Sequence, residues 1–228
     1  ITSMRTHELP AVVLERYSTR QSVCFCGVFP EIRRAWATVD NALFLWRFDV
    51  PDDVPVEYSG EEQAIVSVGL AKPKPGVFLP SVERVLVVAT TVEIVLLGVA
   101  FDRDGDGDGT ADGGASADDL GARDLTLHAL NYACTTDDVV VKDIASTESG
   151  RIFFAGDDEA LYEVEYSGSD TWRARRCRKV CHHSAMPKLL PSILRLRAPD
   201  PLRALGSVLL GYGTEGIPAE DLETVQLK

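Results

Sequence analysis

The sequence predicts an all-β chain built of four-stranded antiparallel units. Short runs rich in Val, Ile, Leu and aromatic residues recur along most of its 228 residues, each about one strand long. Asp, Asn, Gly, Pro and Ser punctuate them as turns. Two sets of four such runs begin at Gln63 and Val139, an offset of 76 residues, or 53 once a 23-residue acidic insertion is subtracted. Four-strand units repeating at roughly 40–50 residues are the signature of propeller blades, with a β-sandwich as the rival architecture.

Taken in order, Ala35–Val39 and Ala42–Phe48 flank Asp40-Asn41, residue types that tolerate positive φ, and so read as a hairpin. In Gln63–Leu70, Ala64, Val66 and Val68 alternate with Ile65 and Ser67. Lys72-Pro73-Lys74-Pro75-Gly76 is a turn that no central strand can cross. Arg84–Thr90 and Val92–Phe101 have the composition of buried strands. After the insertion, Leu125–Leu130 resumes the pattern as the fourth strand of this set. The second set is Val139–Ile144, Arg151–Ala155, Leu161–Tyr166 and Trp172–Val180. Beyond it, Met186, Leu189, Leu190, Ile193 and Leu194 follow a helical spacing, although Pro191 breaks any continuous helix.

Composition narrows the function classes. The chain is 45 % apolar, which is incompatible with bulk disorder. Its net charge of −12 argues against a nucleic-acid binder. No apolar run approaches the ~20 residues that cross a bilayer, and no basic-then-apolar leader is evident. The five cysteines, Cys24, Cys26, Cys134, Cys177 and Cys181, are odd in number and lack paired metal spacing, so they read as reduced thiols of a cytosolic or nuclear protein. Half of the net charge lies in residues 102–124, where eight Asp and six Gly accompany two Arg. This stretch reads as a disordered insertion.

Catalytic patterns are missing. The sequence has no Gly-x-Ser-x-Gly, no phosphate-binding glycine loop and no His-Glu-x-x-His. Asp104, Asp106, Asp108 and Gly109 resemble the start of a calcium loop, but Ala115 stands where the bidentate Glu belongs. Cys177, Cys181, His182 and His183 lack a second spaced ligand pair for zinc. The chain is therefore expected to be no enzyme, with no cofactor, metal or small-molecule substrate. Two surfaces are candidates for partners. Arg173, Arg175, Arg176, Arg178 and Lys179 form a basic strand, which could meet a phosphate surface or an acidic partner, or serve only as a charged, aggregation-resistant edge. Residues 182–198 combine the apolar stripe with Lys188, Arg195 and Arg197, a pattern that suits a membrane surface or packing on its own domain.

Several segments together strongly resemble the N-terminal region of the large inner-ring nucleoporins, called nucleoporin one-fifty-five in animals and one-seventy in yeast. They are Val28-Phe29-Pro30-Glu31-Ile32-Arg33-Arg34-Ala35-Trp36-Ala37-Thr38-Val39-Asp40-Asn41, Val68–Phe78, Leu86–Gly98, Ser149-Gly150-Arg151-Ile152-Phe153-Phe154-Ala155-Gly156, Leu161–Val164 and Arg176–Lys179. The resemblance covers roughly residues 9–200 in family order. It implies a seven-bladed propeller at the start of a longer chain that continues as an α-solenoid, and a non-enzymatic scaffold of the nuclear pore inner ring. Implied partners are other inner-ring nucleoporins, a pore membrane protein and the lipid surface of the nuclear envelope, with no direct nucleic acid. The family's envelope-contacting loop would fall at 182–198, with Met186, Leu189, Leu190, Ile193 and Leu194 inserting and Lys188, Arg195 and Arg197 meeting phosphates. A peripheral membrane-binding module outside the pore is the alternative.

At about 40–45 residues per blade the chain has room for about three blades of the seven, residues 1–200, followed by an atypical tail at 201–228. Such an open arc is expected to be marginal or aggregation-prone alone. The turn Asp157-Asp158-Glu159-Ala160 lacks the glycine usual in the family, so that hairpin is expected to be loose.

Overall fold

The computed structural model describes residues 8–102, 117–168 and 176–182. Among these residues, three four-stranded antiparallel sheets follow one another along the chain. The first holds β1 (Cys24–Phe29), β2 (Arg34–Val39), β3 (Ala42–Arg47) and β4 (Val56–Tyr58). The second holds β5 (Ile65–Ala71), β6 (Arg84–Thr90), β7 (Glu93–Phe101) and β8 (Leu125–Thr135). The third holds β9 (Val141–Ser146), β10 (Ile152–Gly156), β11 (Leu161–Tyr166) and β12 (Cys177–Cys181). In every sheet the spatial order is the chain order, so each is an up-and-down meander.

The first strands of neighbouring sheets touch one another, β1 with β5 and β5 with β9, and so do the last strands, β4 with β8 and β8 with β12. The sheets therefore stand side by side like blades around an axis. A sandwich would share one core between two sheets, whereas here three sheets enclose two. Leu43, Leu45, Ile65, Leu86, Val88 and Leu97 fill the space between the first and second blades. Val85, Val87, Ile94, Leu96, Ile152, Phe154 and Val164 fill that between the second and third. Each side chain fully buried in this way stabilises the fold by roughly 1.5–3 kcal/mol. The architecture is a partial β-propeller of three blades.

The local chemistry explains the strand ends. Asp40 takes φ 55° in the two-residue turn joining β2 and β3. Its carboxylate accepts the N–H groups of Gln21 and Ser22 at 2.9 and 2.6 Å, fixing the chain that enters β1. The 157–160 turn is not loose. Glu159 adopts φ 62° in place of a glycine, and Asp158 accepts from the Ala160 N–H at 3.2 Å and the Tyr162 hydroxyl at 2.6 Å.

Four differences from the sequence reading stand out. A helix α1 (Ala11–Ser18) packs Val13 onto Ala37, Val39, Ala42 and Phe44, covering part of the first blade's outer face. Strands β1 and β4 complete a blade of which only the central hairpin was expected. Strand β8 continues beyond Leu130 to Thr135 through a bulge opposite Leu96 and Leu97, with Asn131 at φ 53°. Finally, residues 117–124, counted with the disordered insertion in the sequence reading, are structured. They form α2 (Ala117–Ala122), which buries Leu120 fully against the seam of the first two blades.

Candidate functional site

Among the described residues, no group of three His, Cys, Asp or Glu is placed to hold a metal ion. No helix among them is long and apolar enough to cross a membrane. The chemistry that the structure does build lies at the seams between blades and on three outer surfaces.

The second and third blades interlock through the Lys72–Gly76 loop. The Lys74 N–H donates to the Tyr166 hydroxyl at 3.0 Å, and that hydroxyl donates to the Gly150 carbonyl at 2.7 Å. The Lys74 ammonium lies 4.5 Å from the centre of the Tyr166 ring, and Phe78 stacks on the same ring at 5.5 Å. Burial pushes the Tyr166 phenol up to about 12, so it stays a neutral donor. Gly150 has φ +81°, and a Cβ there would sit 2.7 Å from the Lys74 nitrogen. Lys72 adds an ion pair with Glu148. Two of the segments that carry the family resemblance, separated by some seventy residues, are thus the two halves of one contact.

The seam between the first and second blades is fastened by buried guanidinium. Arg34, only 3 % exposed, donates to the carbonyls of Ile32 at 3.2 Å, Gly121 at 3.0 Å and Arg123 at 2.6 Å. Burial lowers its pKa from the ordinary arginine value, and nearby Arg47 lowers it further. Arg123 in turn holds Glu83 at 2.9 Å and the carbonyls of Phe101 and Asp102, both at 2.8 Å. The Asp102 N–H donates to the Asp124 carbonyl at 2.9 Å. Both ends of the acidic segment are therefore pinned together.

The basic strand divides into different roles. Lys179 faces the second blade, where it meets Asp137 at 2.9 Å, donates to the Thr136 carbonyl and lies 5.1 Å from the Tyr162 ring centre. Its side chain is 12 % exposed, so its charge is committed to the seam. Arg178 points to the opposite face and pairs with Glu165 at 2.5 Å, with both partners open to solvent. Arg176 is exposed just before β12, and its carbonyl accepts from the Ser167 N–H. Arg173 and Arg175 lie outside the described residues. So do all the membrane-contact candidates, Met186, Lys188, Leu189, Leu190, Ile193, Leu194, Arg195 and Arg197.

Two further surfaces were not anticipated. On the third blade, Glu163 is 3 % exposed between Arg151 at 2.6 Å and His182 at 2.9 Å. The hydrogen bond from Arg151 and then that from His182 hold its carboxyl below the usual glutamate value against the opposing effect of burial. On the first blade, Leu9, Val12, Leu14 and Tyr17 on and beside α1 are exposed, as are Phe25 and Val28 of β1. An eight-residue helix is too short for apolar periodicity to announce it.

Comparison with known proteins gives concordant results. A family model described as Nup133 N terminal like (Nucleoporin_N) matches residues 1–208. The nuclear pore complex protein Nup154 of Drosophila melanogaster is 34 % identical over 208 residues, covering 86 % of this chain and 14 % of that protein. Nucleoporin NUP170 of Chaetomium thermophilum is 34 % identical over 195 residues, covering 85 % of this chain and 13 % of that one. The crystal structure of the Chaetomium thermophilum Nup170 NTD–Nup53 complex superimposes with a TM-score of 0.67 at 34 % identity, over 78 % of this chain and 24 % of that chain. The chain thus spans about one seventh of the length of these curated relatives.

Proposed function

The chain belongs to the Nup133 N-terminal-like family of nucleoporins, a family of the nuclear pore complex at the nuclear envelope, and from that premise we propose that it is the opening arc of an inner-ring scaffold propeller. The observation that carries this reading is the structural agreement with the Nup170 N-terminal domain at 34 % identity while covering only 24 % of it. In this reading the three blades are the start of a ring whose other blades lie further along a longer chain. The protein supports pore assembly and nucleocytoplasmic transport by holding neighbours in place, and it performs no catalysis.

Its partners are other nucleoporins. The related Nup170 domain is seen in complex with Nup53, and we infer that this propeller likewise receives a segment of another nucleoporin. Contacts with a pore membrane protein and with envelope lipid belong to the same proposal. Lipid contact is assigned to residues 182–198, where an apolar stripe including Leu190 and Ile193 is flanked by Lys188, Arg195 and Arg197.

One imaging experiment tests both levels. The protein in its full natural length, tagged fluorescently, is expected to concentrate at the nuclear rim, and diffuse staining would overturn the scaffold reading. The same fusion carrying Leu190→Asp with Ile193→Asp is expected to exchange at the rim faster after photobleaching. Unchanged exchange removes the lipid contact and leaves the scaffold.

A further inference from the structure

The outer edge of the seam between the second and third blades is zipped by consecutive inward-facing positions of β8 and β12. At one end the Tyr132 hydroxyl donates to the Ser167 carbonyl at 3.1 Å, and the Tyr132 and Tyr166 rings meet edge to face at 6.4 Å. At the other end Lys179 donates to the Thr136 carbonyl and pairs with Asp137. Between these two fastenings lie Cys134 and Cys177. Cys134 sits opposite Ile94 in the second blade and Cys177 opposite Tyr166 in the third, so both point into the same apolar core. The Cys177 and Cys134 sulfurs lie within hydrogen-bonding reach of each other. The two strands lie in direct contact along this edge, and a disulfide spans ~4.4–6.8 Å between Cα atoms.

We propose that Cys134 and Cys177 form a reversible disulfide that staples the second blade to the third when the protein meets a hydroperoxide. The two thiols are built for unequal roles. Cys134 is half-buried and open to a small oxidant, while Cys177 is 4 % exposed and reaches only its neighbour. The hydrogen bond from Cys177, helped by nearby Lys179, lowers the Cys134 pKa. The same bond together with burial raises that of Cys177. Cys134, the more exposed of the two, is therefore the thiol that meets the oxidant and attacks it as the thiolate.

In the first step the Cys134 thiolate attacks one peroxide oxygen and the O–O bond breaks. The leaving hydroxide takes a proton to become water, and Cys134 becomes a sulfenic acid. In the second, the Cys177 sulfur attacks the sulfenic sulfur. The S–O bond breaks, an S–S bond forms and the departing hydroxide leaves as water with the Cys177 proton. Two thiols and one hydroperoxide give one disulfide and, with hydrogen peroxide, two waters. A thiol reductant reverses the step, as expected for a protein of a reducing compartment whose disulfides are transient. Cys24, Cys26 and Cys181 lie on other strands or toward solvent and take no part.

The test uses the full chain, native and with Cys24→Ser, Cys26→Ser and Cys181→Ser combined. Stoichiometric hydrogen peroxide followed by alkylation and peptide mapping is expected to show a Cys134–Cys177 linkage and the loss of two of the five thiols, restored by dithiothreitol. The triple variant is expected to give the same linkage, and the chain unfolded in urea to lose this preference. In Cys177→Ser, or in Cys177→Ala where serine disturbs the core, the Cys134 sulfenic acid should persist and label with dimedone at least fivefold more than in the native chain. Equal labelling of Cys134 in both, or linkages drawn evenly from all five cysteines, would overturn the proposal.

Discussion

Between the first and second blades the seam holds Leu43, Leu45, Leu86, Leu97 and Leu120, and its fastening is Arg34 reaching across to the carbonyls of Gly121 and Arg123. Between the second and third blades the core is equally apolar, yet the fastening is a close approach of two short loops at Lys74 and Gly150, bridged by the Tyr166 hydroxyl. The first seam depends on long guanidinium side chains, Arg34 and also Arg47, which reaches the Ala122 carbonyl and Asp124, and on a segment that returns only after the acidic stretch. The second depends on backbone that must approach closely, and so on a glycine. A substitution at the first should unpin α2, whereas one at the second should separate two blades.

The largest effect is expected at Arg34. Arg34→Met keeps most of the buried stem but leaves the carbonyls of Ile32, Gly121 and Arg123 without their charged donor. Losing several such bonds in a buried site should cost about 2–4 kcal/mol in urea unfolding. Amide exchange should rise first across residues 120–124, with β9 to β12 protected as before. Uniform loss of protection across all three blades would show that the two seams are not separable.

Next comes Gly150→Ala, which forces a side chain into φ +81° and toward the Lys74 nitrogen. The left-handed conformation and the displaced loop together should cost about 1–3 kcal/mol. Exchange protection should fall at Lys74 and along the contact of β5 with β9, while Leu120 stays protected. An unchanged unfolding midpoint would mean that the loop contact adds nothing to the seam.

These contrasts bear on how much of the molecule its sequence discloses. The central strands were legible because Val85–Ala89 and Ile94–Val99 are apolar on both faces, and the Asp40-Asn41 turn because its residues suit positive φ. Helix α2 was not, since Ala117–Ala122 sits in an Asp- and Gly-rich run and is held by tertiary bonds from a residue more than eighty positions away. The basic strand was legible as charge, but not as a division of labour. Only the fold decides that Lys179 turns inward to Asp137 while Arg178 turns outward to Glu165.

The smallest effect concerns pH and sharpens the comparison from the third blade's far face. Glu163 has a folded pKa below its ordinary value because Arg151, and then His182, favour the carboxylate. A group depressed in this way contributes stability that is fully present above its unfolded pKa of ~4.3 and is lost as pH falls through the folded value. Arg151 is 48 % exposed in its side chain, so solvent screening limits the contribution to about 1 kcal/mol or less. Unfolding measured from pH 7 to pH 3 should therefore show a shallower acid loss in Glu163→Gln than in the parent. Above pH 5 the variant should be the less stable of the two, because Arg151 and His182 then face a neutral amide. If the parent and Glu163→Gln lose stability in parallel on acidification, the network on this face is cosmetic.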